Sequence, residues 1–181
     1  MKGKLNLQIV VGLLCCLPLS NKLLAGDWKA ELQGWLEARY TLADIDKDGI
    51  SVTQAGTVLV IQKGGVVANS ISAPAYIANR VRAGEVSPSD GSAKLPRNTR
   101  TFAVGEKAYV SRIDVKDTEV QYFILSRDLF DGNDGLSKRT RFKALVSFEF
   151  PNGFLGDTSA ENIKKIIDGL LAPEGGVVPC Q

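Results

Sequence analysis

The chain has 181 residues, 22 Lys and Arg against 20 Asp and Glu, a formal net charge of +2 and no histidine. Without imidazole there is no Ser-His-Asp or Cys-His catalysis, no His-ligated catalytic zinc of the common kind and no His-ligated haem. No Gly-x-Ser-x-Gly elbow, phosphate-cradling glycine loop or dinucleotide fingerprint occurs.

The first segment reads as an export signal. Lys2 and Lys4 precede an apolar run from Ile9 to Leu19, broken at Pro18 and followed by polar residues. That run is shorter than the ~20 apolar residues of a membrane helix. No later segment approaches that length, so the mature chain is expected to have no transmembrane segment. The expectation is a signal peptide over 1–25, cut after Ala25, although Leu23 is bulkier than the residue usual at the third position back. Cleavage removes Lys2, Lys4 and Lys22 and no acidic residue, turning two excess positive charges into one negative charge. With so small a net charge and no basic tract, nucleic acid is not an expected partner. Cys15 and Cys16 fall inside the signal, which leaves Cys180 without an intrachain partner and excludes a disulfide framework. Cys16 follows Leu13, Leu14 and Cys15 and only partly matches the lipobox of bacterial lipoproteins. Lipid attachment there is the alternative to a freely secreted or periplasmic protein.

The mature length fits a single β-rich domain over 26–172. Trp28, Leu32, Trp35 and Leu36 fall on one helical face, with Asp27 placed to cap the first turn. Lys47-Asp48-Gly49-Ile50 predicts a hairpin connection. Gly56 to Gln62, rich in β-branched residues, and Val66 to Ser72 predict two strands paired through Gly64-Gly65. Ala73 to Arg100, punctuated by Pro74, Pro88 and Pro96, predicts a long loop in which Tyr76 to Val81 hints at a helical turn. Lys107 to Val115 and Val120 to Ser126 predict a hairpin. Arg139 to Phe150 alternates Phe142, Ala144, Val146, Phe148 and Phe150 against Arg139, Arg141, Lys143, Ser147 and Glu149. Thr158 and Glu161 suggest a capping box for a helix whose Ile163, Ile166, Ile167, Leu170 and Leu171 form an apolar stripe, stopped by Pro173. Residues 173–181 predict a disordered tail.

The succession of Gly56 to Gln62, Phe102 to Ser126, Phe142 to Pro151 and a terminal amphipathic helix resembles a group of uncharacterised exported bacterial proteins. It is also similar in layout to small SH3-like β-barrels. The resemblance implies a mainly β fold, a small SH3-like or partly open antiparallel barrel with a short N-terminal helix and a C-terminal amphipathic helix. It carries no functional residue over.

Three constellations bear chemistry. Asp44, Asp46 and Asp48 with Gly49 reproduce the opening of a calcium loop, whose closing bidentate glutamate falls at Ala55. A plain acidic turn is the preferred reading, and calcium is the cofactor alternative. Asp128, Asp131, Asn133 and Asp134 make a second oxygen-rich turn, able to share an ion if the fold brings the two together. Arg139, Arg141 and Lys143 on one strand face, with Arg80, Arg82, Lys94, Arg97 and Arg100 in the preceding loop, offer guanidinium forks to an anionic polymer. The opposing reading is a solvated face whose charges discourage edge pairing. The resulting expectation is an exported, non-enzymatic binding or assembly module engaging an extracytoplasmic protein or anionic polymer through Arg139, Arg141, Lys143, Arg97 and Arg100. The alternatives are a calcium-stabilised extracellular domain and a hydrolase using paired carboxylates.

Overall fold

The computed structural model describes residues 27–88, 98–131 and 139–175. The expected signal over 1–25, the three cysteines, Lys94, Arg97, Asn133 and Asp134 lie outside these residues.

In chain order the elements are α1 (Trp28–Glu37), β1 (Asp44–Ile45), β2 (Val52–Gln54), β3 (Val58–Ile61), β4 (Val67–Ser70), β5 (Ile77–Arg82), β6 (Glu85–Pro88) and β7 (Thr99–Thr101). They continue with β8 (Lys107–Val115), β9 (Glu119–Ser126), β10 (Phe130–Asp131), β11 (Arg139–Thr140), β12 (Phe142–Glu149), α2 (Phe154–Asp157), α3 (Ala160–Asp168) and β13 (Leu171–Pro173). The protein is mainly β, and its main sheet curls into a half-barrel. Strand order is β13-β3-β8-β9-β12-β4-β7, with β5 and β6 branching from β12. Two short ribbons, β1-β2 and β10-β11, stand apart. The inner face of the sheet shares one core with Leu32 and Leu36 of α1, Leu155 of α2 and Ile163 and Ile167 of α3.

The long apolar strands organise the sheet. β8 and β9 form the expected hairpin, with a bulge between Val110 and Arg112. The pairing expected between 56–62 and 66–72 does not form. β3 lies instead between β13 and β8, and β4 between β12 and β7. Each short strand gains more by joining an apolar ladder than by pairing with its neighbour across Gly64-Gly65, because cross-strand side-chain packing is what stabilises a sheet. The segment expected to be a loop carries the β5-β6 hairpin and β7. Its alternation was masked by Asn79, a polar side chain at an inward, fully buried position. The hairpin turns at Ala83 (φ 49) and Gly84 (φ 79), the positive angles that a two-residue type I′ connection requires.

The expected all-antiparallel sheet is in fact mixed. β12 runs antiparallel to β4 over Phe142 and Lys143, then parallel to β5 from Ala144 to Phe148. Asn79 stitches this fork. Its Oδ1 accepts from the Val67 amide at 2.8 Å, and its Nδ2 donates to the Val67, Ile77 and Leu145 carbonyls at 2.9, 3.2 and 3.2 Å. Gln33 of α1 works similarly on β8, donating to the Ile113 carbonyl at 2.9 Å and accepting from the Val115 amide at 3.0 Å. A side-chain amide presents the same donor and acceptor as a peptide group, so each residue supplies ladder bonds where no strand lies.

Helix ends depart from expectation. Asp27 makes no side-chain cap to α1. Ser159, not Thr158, caps α3, accepting from the Asn162 amide. The helix ends at Asp168, and Leu171 to Pro173 joins β3 as a strand, so the expected tail begins inside the sheet. The Glu174 amide donates to the Val58 carbonyl at 2.8 Å and its carboxylate pairs with Lys107. Residues 176–181 are outside the described residues.

An apolar groove with a charged rim

Of the cations expected to share an open face, Arg141, Lys143 and Arg100 are bonded within the fold, whereas Arg139 stays exposed and Arg97 lies outside the described residues. The strand expected from 139 to 150 divides at Arg141, whose guanidinium donates to the carbonyls of Ile50 at 2.7 Å, Ser126 at 3.0 Å and Arg127. Arg141 thus ties the segment after Gly49 to the end of β9, while Asn133 and Asp134 of the second acidic turn lie outside the described residues. Lys143 is only 8% exposed, donates to the Ala73 carbonyl at 2.7 Å and lies over the Tyr76 ring. Burial lowers its pKa. Arg100 grips Glu106 through both terminal nitrogens and stacks 3.6 Å from the Phe130 ring centroid. Arg139 is exposed and donates to the Leu129 carbonyl at 3.1 Å.

The carboxylates of the calcium-like turn are likewise occupied. Asp44 accepts from the Ile45 amide at 2.9 Å and Asp46 from the Lys47 amide at 2.6 Å. Asp48 accepts from the amides of Ile50 and Ser51 at 2.7 and 2.9 Å and from the Ser51 hydroxyl at 3.0 Å. Hydrogen bonds from the Ser51 and Ile50 amides hold the Asp48 pKa below its ordinary value. This is how aspartates in tight turns bond to following backbone. Among the described residues no group of three or more Asp, Glu, Cys or His side chains is arranged to hold a metal ion.

A different place has the form of a binding site. At one end of the half-barrel, between the β5-β6 turn and α3, a groove of about 660 Å³ is lined by Val81, Phe148, Phe150, Pro151 and Ile166, with Arg82 and Glu149 on its wall. Ligand pockets commonly span ~300–1,000 Å³ and combine apolar lining with few polar groups. Phe150 is supported from behind by Phe154, stacked at 5.4 Å with an interplanar angle of 8°. The apolar stripe of α3 explains why the groove is open. Ile163 and Ile167 are fully buried, whereas Ile166, expected to be buried with them, is 44% exposed and faces this space. Successive helical residues point about 100° apart. Only part of so wide a stripe reaches the curled sheet.

A polar recess adjoins the groove and shares Arg82, Glu149 and Phe150 with it. Arg80 Nε lies 3.2 Å from Glu149 Oε1, and Arg82 Nε donates to Glu149 Oε2. Glu149 stands directly across from Glu119 in the β9-β12 register. Burial pushes the Glu119 pKa up, but hydrogen bonds from Ser147, Lys116 and Gln121 prevail and hold it below the usual carboxylate range. A general acid needs the opposite shift. The linings of the groove and the recess hold Arg80 and Arg82 against Glu119 and Glu149, and Lys116 pairs with Glu119 at 3.0 Å.

Sequence reasoning placed Arg80 and Arg82 in a loop and overlooked Phe150 and Ile166 as lining. The signal was present in the Arg-x-Arg alternation of β5 and in a helical stripe wider than one sheet covers. No protein-family model, curated protein or solved structure matches the chain.

Proposed function

We propose that the protein is an exported, non-enzymatic binding module, similar in layout to small SH3-like barrels, which holds an apolar ligand group in the groove between the β5-β6 turn and α3. The observation that carries this reading is Ile166, a large aliphatic side chain left 44% exposed beside Phe150, Phe148 and Val81. Ile166 and half-buried Phe150 supply the open apolar surface over a floor of buried Val81 and Phe148, and taking an apolar group onto that surface gains about 25 cal/mol for each Å² buried. The expected extracytoplasmic location rests on the apolar N-terminal run and its flanking lysines. Ionised Glu119 and the missing imidazole support binding over catalysis.

The test is a titration with a neutral probe that fluoresces in apolar surroundings, such as N-phenyl-1-naphthylamine. The protein is expected to enhance its emission saturably. Ile166→Glu is expected to abolish the enhancement while leaving the melting midpoint within a few degrees, since the side chain is already half in water. Absence of saturable enhancement by the unaltered protein overturns the groove as a binding site. Sequencing the N-terminus of protein recovered from outside the cytoplasm tests export, with Gly26 expected first.

A further inference from the structure

We infer that the groove takes a single-chain anionic amphiphile, its hydrocarbon tail on Val81, Phe148, Phe150 and Ile166 and its carboxylate or phosphate head on Arg80 and Arg82. The inference rests on the groove being a binding site and adds the class of its ligand. The apolar space and the polar recess meet at Arg82, Glu149 and Phe150, so one molecule reaching across that boundary has an apolar end and a charged end. The arginine side chains are 50% and 72% exposed, and both direct Nε at the single carboxylate of Glu149. Among the described residues, neither guanidinium has a hydrogen-bond acceptor for its terminal Nη groups. Those forks match the paired oxygens of a carboxylate or phosphate. Glu119 also lines the recess but is held by Ser147, Lys116 and Gln121, so Glu149 is the carboxylate that the two guanidinium groups share, and an anion fits as their second partner.

The ligand is a free molecule and not a bilayer surface. The apolar lining is concave, while Arg141, Lys143 and Arg100 are committed to carbonyls, to a ring face and to Glu106. A broad cationic face for a membrane is therefore missing among the described residues.

Binding of dodecanoate, decanoate and 1-dodecanol to the purified protein, below their aggregation concentrations, tests this directly. Dodecanoate is expected to bind more tightly than 1-dodecanol, and decanoate about 15-fold more weakly than dodecanoate, since each buried methylene is worth about fourfold. Replacing both arginines, Arg80→Gln with Arg82→Gln, is expected to weaken dodecanoate about tenfold and leave 1-dodecanol unchanged. Glu149→Gln is expected to tighten dodecanoate, because it removes the carboxylate competing for the same guanidinium groups. This second variant separates head-group recognition from a merely structural use of the arginines, which Glu149→Gln also disturbs.

Equal affinity for dodecanoate and 1-dodecanol, or unchanged dodecanoate binding in the double-arginine variant, overturns the head-group assignment and leaves the groove reading standing. Failure of both amphiphiles to bind overturns the two together. Salt-sensitive sedimentation with phosphatidylglycerol vesicles that dodecanoate does not reverse also overturns the inference, since it identifies a membrane surface as the anionic partner.

Discussion

Ala83 occupies the left-handed region at φ 49, where a Cβ is crowded by the following carbonyl. The cost is about 1–2 kcal/mol for an ordinary L-residue. Its exposed side chain makes no contribution that the turn needs, and Asn accepts this conformation more readily. Ala83→Asn is therefore expected to stabilise the fold by about 0.5–1 kcal/mol, read as a higher denaturant midpoint at unchanged slope. An unchanged or lower midpoint contradicts the strain. At this same scale the sequence was informative about residue type and poor about partners. Asp48 was legible as a turn aspartate because its bonds are local, to Ile50 and Ser51. Arg141 was not legible, because its acceptors sit 91, 15 and 14 residues away and only the folded chain gathers them.

Among elements, the fork between β4 and β5 depends on one carboxamide. Truncating Asn79 removes the side-chain partner of the buried Val67 amide and carbonyl, and an unsatisfied buried group costs about 1–3 kcal/mol. Asn79→Ala is expected to destabilise by about 3 kcal/mol and to speed hydrogen exchange at Val67 more than at Ile124 in the central β9. Uniform exchange across both strands argues against a local stitch. The facing strand ends carry a second expectation. Glu119 ionises below its ordinary 4.5 in the folded state, so its stabilisation is complete above that pH and is lost as pH falls through the depressed value. Glu119→Gln is expected to flatten the fall of stability below about pH 4.5, measured by urea titration at successive pH values. A fall as steep as in the unaltered protein assigns the acid sensitivity elsewhere. The β8-β9 hairpin was plain in the sequence, since its two runs are rich in β-forming residues and the turn between them is short. The β5-β6 hairpin was obscured by a single buried polar residue and by prolines that sit at its margins.

For the molecule as a whole, one core runs from α1 across the inner sheet to α3, with Tyr40 fully packed against Tyr122 and bonded to Asp168 at 3.4 Å. Trp28 and Trp35 of α1 pack on that core, so their fluorescence reports the same event as the far-ultraviolet signal of the strands. The two unfolding curves are expected to coincide in urea, as they do for a single cooperative domain. An earlier tryptophan transition identifies α1 as a separate unit. By itself the sequence determined the mainly β character, the β8-β9 hairpin and the two faces of β12, because period-two alternation and turn chemistry act between near neighbours. Tertiary structure alone decided the parallel join of β5 to β12, the commitment of Arg141 and Lys143 to distant carbonyls and the exposure of Ile166. Each of these depends on how far a curled sheet reaches round its core, a distance in space that no local pattern of residues encodes.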